Sequence, residues 1–181
     1  MSDGKIRGKL LVELWANGEP MTIQVLADKV GLNPSSAMGY LLGLIKAKYV
    51  EVPEKHYYCI TCSGKEAIGL PNVDSGLAQC ILTPVSDDKA FHFYYDVDQH
   101  SGVQANGLED FGNKIQVVDL KSLEFHLLRK DFESWVRSLG DAELAKKLAL
   151  LRVAKLSGEN LREKLSETVN SRIEELKNLL A

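Results

Sequence analysis

Apolar residues return at helical spacing along most of this chain, interrupted by a short hairpin-like stretch near residue 55 and an aromatic run near residue 93. Leu10, Leu11, Leu14 and Trp15 predict a helix over residues 8–16, closed by Asn17-Gly18-Glu19-Pro20. Ile23, Leu26, Ala27 and Val30 predict a second helix, with Thr22 as its expected N-cap. Gly31 stops that helix. Asn33 and Pro34 then supply the capping residue and first-turn proline of a third, over 34–48. Val50-Glu51-Val52-Pro53 and Tyr57-Tyr58-Cys59-Ile60 read as two strands, with Glu54-Lys55-His56 as the turn between them. Thr61 or Ser63 caps a short closing helix that runs to Ile68.

The pattern breaks at 69–76 and again at 83–88, so residues 71–88 are expected to be a linker between a domain over 1–70 and a mostly helical one over 89–181. The apolar piece from Leu77 to Leu82 suits docking on either side. Residues 90–97 are strand-like by their aromatic content, and Ser101 to Ala105 suit a returning strand or an extended loop. The remainder is helical. One helix carries Leu108, Phe111, Ile115 and Val118. The next carries Leu120, Leu123, Leu127 and Leu128, with Asp119 as its cap. Asp131 is the expected cap of a third, with Phe132, Trp135 and Val136. Gly140-Asp141 start another helix over Ala142 to Leu156. The last holds Leu161, Leu165, Val169, Ile173, Leu176 and Leu180. This last face is expected to pack on its own domain, with a dimer seam as the alternative.

Helix, helix, helix, hairpin, helix is an order with known parallels. The stretch Leu26-Ala27-Asp28-Lys29-Val30-Gly31-Leu32, the helix with Tyr40-Leu41-Leu42-x-Leu44-Ile45, the hairpin at 50–60 and the Thr61-x-x-Gly64-Lys65 opening resemble the winged helix-turn-helix superfamily of prokaryotic regulators. That resemblance covers residues 8–70 and implies a third helix that docks in the DNA major groove. In the second half, five motifs resemble an uncharacterised prokaryotic domain family seen mainly in archaea. They are Phe91-His92-Phe93, Gly102-Val103-x-Ala105 leading to Leu108-Glu109-x-Phe111, Ser122-Leu123-Glu124-Phe125-His126, Asp131-Phe132-x-x-Trp135 and Leu139-Gly140-Asp141-x-x-Leu144-Ala145. This second resemblance covers about residues 90–155. It implies a compact mixed domain and no particular activity.

Projected at 100° per residue, the third helix buries Ala37, Leu41, Leu44 and Ile45 and turns Ser35, Ser36, Gly39, Gly43 and Lys46 outward. That face lacks the forked Arg, Asn or Gln side chains that read bases. Ser35, Ser36 and Gly39 allow close approach to DNA, while Thr22, Gln24, Tyr40, Lys46, Lys48, Lys55 and His56 are candidates to hold phosphates. The same smooth stripe, with Leu42 and Met38 beside it, also suits packing against another helix. A protein-interaction adaptor that never touches DNA is therefore the alternative.

Charge modifies this picture only slightly. The net charge is −3, which gives no general positive field. Residues 1–70 hold 8 Lys+Arg against 7 Asp+Glu, and the rest holds 14 against 18. Contact with DNA would depend on local groups. No apolar run has the length of a membrane span, and residues 1–5 lack the apolar core of a signal peptide, so a cytoplasmic location is expected. Cys59, Cys62 and Cys80 are too few, and odd in number, for a disulfide framework.

Candidate chemistry is sparse. His56-x2-Cys59-x2-Cys62 has the donor types of a zinc site, with Cys80 as a conceivable fourth ligand. Cys59, however, falls within a strand rather than a tight turn, so free cysteines are expected and no metal or cofactor is assigned. His126, Asp131 and His92 have the residue types of an acid–base site, but no nucleophile, second carboxylate or glycine-rich loop accompanies them. Asp96, Asp98 and His100 suit a hard cation or a solvated loop equally. The sequence thus reads as a predominantly helical α+β chain: an N-terminal winged helix-turn-helix and a sensory or oligomerising module. The expectation is a DNA-binding transcriptional regulator acting on double-stranded DNA, as a homodimer if it addresses two half-sites, and not an enzyme.

Overall fold

Helix α1 (Asp3–Asn17) buries Ile6, Leu10, Leu11, Leu14 and Trp15, the stripe its apolar spacing marks, and starts one and a half turns before that stripe becomes visible. The computed structural model describes residues 3–181. Among them the chain is α+β and mainly helical, and it divides into two compact units, one ending at Asn72 and the other beginning at Val73.

In the first unit, α1 is followed by β1 (Met21–Thr22), α2 (Ile23–Val30), α3 (Pro34–Lys46), β2 (Val50–Glu54), β3 (Tyr57–Ile60) and α4 (Cys62–Ala67). The strands form an antiparallel sheet in the order β1-β3-β2, with Met21 opposite Tyr58 and Val50 opposite Ile60. Strand β1 has no periodic signature because it is two residues long; its pairing and the burial of Met21 define it. Thr22 does occupy the N-cap position of α2 with extended backbone, but its side chain makes no capping hydrogen bond. Asn33 caps α3 as expected, accepting from the Ser36 N–H at 2.8 Å.

The entry to α4 explains the Thr61-x-x-Gly64 motif. The Thr61 hydroxyl accepts from the Gly64 N–H at 3.1 Å and donates to the Lys48 carbonyl at 2.7 Å. A Cβ on Gly64 would lie 2.2 Å from the Tyr49 carbonyl oxygen, so only glycine lets α4 close against this turn. Leu10, Leu14, Leu26, Leu41, Leu44 and Val50 fill the core beneath. Truncating one such leucine to alanine costs about 2–5 kcal/mol.

The second unit contains α5 (Ser75–Leu82), β4 (Phe91–Asp96), β5 (Gln99–Ala105), α6 (Leu108–Ile115), α7 (Leu120–Arg129), α8 (Asp131–Ser138), α9 (Ala142–Val153) and α10 (Gly158–Asn178). Residues 71–88, read from sequence as linker, hold a helix capped by Asp74 whose Ala78 and Ile81 are fully buried in this unit's core. Eight residues between two Gly/Pro-rich breaks are too short for a clear periodic signal. Strands β4 and β5 form an antiparallel hairpin, pairing Phe91 with Ala105 and Tyr94 with His100.

Phe91 and Phe93 point inward and meet Phe111, Phe132 and Trp135, with ring centroids 4.9–6.3 Å apart for the contacts of the two strand residues. The Trp135 indole N–H donates to the Lys89 carbonyl at 2.9 Å. Helix α10 buries Leu161, Leu165, Val169, Ile173 and Leu176 within its own unit. It crosses α6 at Gly112, where a Cβ would sit 2.9 Å from Asn170 Oδ1. Buried Arg172 grips Asp141 with both arms of its fork, at 2.7 and 3.1 Å, and reaches Glu143 at 3.0 Å and Glu175 at 2.9 Å. Asp141 also caps α9 through the Leu144 N–H at 2.9 Å.

Candidate functional site

The face of α3 is set by the turn before it. Gly31 adopts the left-handed conformation (φ 73°) that ends α2, and its N–H returns to the Asp28 carbonyl. Helix α3 buries Ala37, Leu41 and Leu44. Ser35, Ser36, Gly39, Leu42 and Lys46 are exposed, and a Cβ on Gly39 would meet nothing within 4 Å. Leu42 is 58% exposed near the middle of this face. Gly43 lies to one side: a Cβ there would be 3.6 Å from the Arg7 guanidinium. Arg7 is therefore an exposed cation on the flank of α3. Its reach is hidden in the sequence because α1 begins before the apolar repeat that announces it.

The other candidate residues divide accordingly. Lys48, Lys55 and His56 are exposed, with Lys48 after the end of α3 and the last two in the β2–β3 turn. Lys48 (φ 63°) and His56 (φ 69°) hold left-handed backbone. Gln24 is exposed, with its amide nitrogen 3.1 Å from Asp28 Oδ1. Thr22 is half-buried. Tyr40 turns toward α1, where its hydroxyl donates to Asp3 Oδ1 at 3.2 Å. The fold thus gathers Ser35, Ser36, Gly39 and Lys46 on α3 and directs Tyr40 elsewhere.

The His56–Cys59–Cys62 spacing does not produce a ligand set. The Cys59 thiol donates to Glu51 Oε1 at 3.4 Å across the β2–β3 pair. Burial first, and then the Glu51 carboxylate, push this thiol up to about 11. Among the described residues no three His, Cys, Asp or Glu side chains are grouped to hold a metal ion. Cys62 and Cys80 are exposed and free.

In the second unit, the residues considered for acid–base chemistry form a structural tie. His126 is buried on α7, with Nε2 accepting from the Tyr94 N–H at 2.8 Å. Its proton is thereby assigned to Nδ1, which donates to Asp131 Oδ2 at 2.8 Å. Burial lowers the His126 pKa, and Asp131 only partly offsets this. Asp131 was expected to cap α8. It is instead the first residue of that helix, entered through left-handed Lys130, and its carboxylate is spent on His126 and on Arg129 Nε at 3.2 Å. Lys130 both closes α7 and stands at the N-cap of α8, so Asp131 falls one position inside the helix.

A hollow of about 380 Å³ opens beside this tie, between the β4–β5 turn and the end of α7. Phe91, Tyr94 and Phe125 give it aromatic walls, and Arg129, Asp96 and Asp98 give it charge. The Arg129 guanidinium lies 4.8 Å over the Phe125 ring. His92 lines its strand side and is met from β5 by His100. The Gly102 N–H donates to His100 Nδ1 at 2.9 Å, so His100 Nε2 carries the proton toward His92 Nδ1 at 3.4 Å. His92 Nε2 then faces the Asp87 carbonyl at 3.4 Å. Sequence reading singled out the histidines and aspartates here but not Phe125 or Arg129. Their i, i+4 spacing on α7 was the available signal.

Comparison with known proteins bears on this second unit. Residues 78–170 match the family described as Family of unknown function (DUF5752), in keeping with the uncharacterised domain expected there. No curated protein and no solved structure matches the chain. No helix among the described residues is long and apolar enough to cross a membrane.

Proposed function

The chain belongs to this family of unknown function, and we propose that it is a DNA-binding regulator whose first unit is a winged helix-turn-helix. The observation that carries this reading is the presentation of α3. The helix is held from behind by α1 and α2, while its opposite side, from Ser35 through Gly39 to Lys46, is open. In a docked complex that side enters the major groove. Arg7, Lys46 and Lys48 then meet phosphates, and Lys55 and His56 follow the backbone from the hairpin turn. The serines and Gly39 permit close approach without forked donors, which implies modest base discrimination. The second unit is the sensory or oligomerising partner of this module, and two chains would address two half-sites.

Fluorescence anisotropy with mixed-sequence duplex DNA tests the reading. Saturable binding that weakens severalfold in Lys46→Ala supports it, and a flat titration at low salt removes it.

One observation favours a second reading. Leu42, 58% exposed in the middle of the α3 face, is the kind of residue that seats against a protein partner. On that reading the same face is a protein-contact surface. Leu42→Lys would then abolish the partner contact, whereas a phosphate-facing surface tolerates the added charge.

A further inference from the structure

The hollow in the second unit has the size and lining of a small-molecule site, and neither its histidine tie nor DNA docking makes use of it. At about 380 Å³ it falls within the range of ligand pockets. We infer that it binds a small organic cation, an amine or ammonium compound with a short apolar stem. This goes beyond the DNA-binding proposal and stands on the second unit alone.

The chemistry of the lining selects the class of ligand. Asp131 is already satisfied by His126 at 2.8 Å and by Arg129 at 3.2 Å. Arg129 bonds Asp131 through Nε and lies 4.8 Å over Phe125, so its charge is offset by that neighbouring carboxylate. His126 has both ring nitrogens engaged, and His92 Nδ1 is met by His100 Nε2 at 3.4 Å.

What remains is the pair Asp96 and Asp98 at the β4–β5 turn, both exposed; Asp96 Oδ1 accepts from the Val97 N–H at 2.8 Å, and neither carboxylate is in an ion pair with any described residue. Together with Asp131 they outnumber Arg129 among the charged side chains around a hollow walled by Phe91, Tyr94 and Phe125. Aromatic faces attract cations, and the Arg129–Phe125 contact is that same interaction made internally. An ammonium group would sit against Asp96 and Asp98, with its methylenes over the Tyr94 and Phe125 rings.

The test is a ¹H–¹⁵N NMR titration of the full chain with putrescine, paralleled by 1,4-butanediol and succinate as neutral and anionic compounds of similar length. The expected result is saturable shifts at the Tyr94, Val97 and Asp98 amides, with butanediol and succinate inert. The Asp96→Asn/Asp98→Asn double variant, altered only at exposed positions, should bind at least about tenfold more weakly, near 1.4 kcal/mol. Phe125→Leu should weaken binding as well while leaving the carboxylates in place. Three results would overturn the inference. One is no saturable shift up to about 10 mM, a concentration that fills even millimolar sites. Another is equal binding of succinate, and the third is unchanged affinity in the double variant. Because the shifts are read in the second unit, they do not depend on whether α3 binds DNA.

Discussion

His126 and Asp131 are joined across the α7–α8 junction by a hydrogen bond of 2.8 Å from Nδ1 to Oδ2. With the Tyr94 N–H on the other ring nitrogen, the imidazole ties strand β4 to the start of α8. A histidine and an aspartate five residues apart look like a catalytic pair in sequence. Here neither ring nitrogen is free to move a proton to a substrate.

Replacing His126 with alanine should therefore act on stability. The change strands the Tyr94 N–H and empties space among Phe91, Phe93 and Phe132, for a combined loss of roughly 2–4 kcal/mol. Urea unfolding monitored by Trp135 fluorescence measures it. The pH dependence has a definite sign. The folded-state pKa of His126 lies below its ordinary value of 6.5, so the unfolded chain binds more protons in the interval between the two. This contribution is fully present above about 6.5 and is lost as pH falls toward the folded value. The corresponding slope should disappear in His126→Ala.

Arg172 is the second structural lever. It is 3% exposed and faces Asp141, Glu143 and Glu175; burial opposes its charge, but these carboxylates outweigh that and raise its pKa. Arg172→Met leaves the buried Asp141 carboxylate without its bidentate cation, a loss of about 3–5 kcal/mol in urea unfolding.

Gly64→Ala tests the closure of the first unit. The added methyl would meet the Tyr49 carbonyl at 2.2 Å and Ile60 Cγ1 at 2.7 Å, so backbone has to move. A destabilisation of about 2–3 kcal/mol is expected, at the upper end of ordinary overpacking. Gly39→Ala, where nothing lies within 4 Å, should leave the melting temperature unchanged or slightly raised.

Thiol labelling separates the cysteines. Cys59 is pushed up to about 11 by burial and by Glu51, whereas Cys62 and Cys80 are exposed. With iodoacetamide at pH 8, Cys59 should react at least about tenfold more slowly than the other two, because the thiolate is the reactive form. Glu51→Gln should narrow the gap. Equal rates at all three sites would contradict the Glu51 contact.

Much of the element order is legible in the sequence because each element carries its own signal. Asn33-Pro34 marks the start of α3, Gly31 the end of α2, and the leucine spacing the helices α6 to α10. What escaped depends on partners distant in sequence. Strand β1 exists through Met21 facing Tyr58, and α5 through the burial of Ala78 and Ile81. Asp131 has the local grammar of a cap, but His126 and Arg129 compete for its carboxylate and win. At the α3 surface, projection anticipated the exposure of Ser35, Gly39 and Lys46. It missed Arg7 beside Gly43, and it did not foresee Tyr40 bonding to Asp3.

The central claim is that the α3 face meets DNA, and the salt dependence of duplex binding tests it most directly. Four exposed cations, Arg7, Lys46, Lys48 and Lys55, meet phosphates on the proposed reading, so log K should fall against log[salt] with a slope of roughly −3 to −4. Lys46→Ala should make that slope shallower by about 1 and weaken binding uniformly across sequences. Absence of binding at the lowest salt, or binding whose slope Lys46→Ala and Arg7→Ala leave unchanged, would contradict the account and turn attention to a protein partner at Leu42.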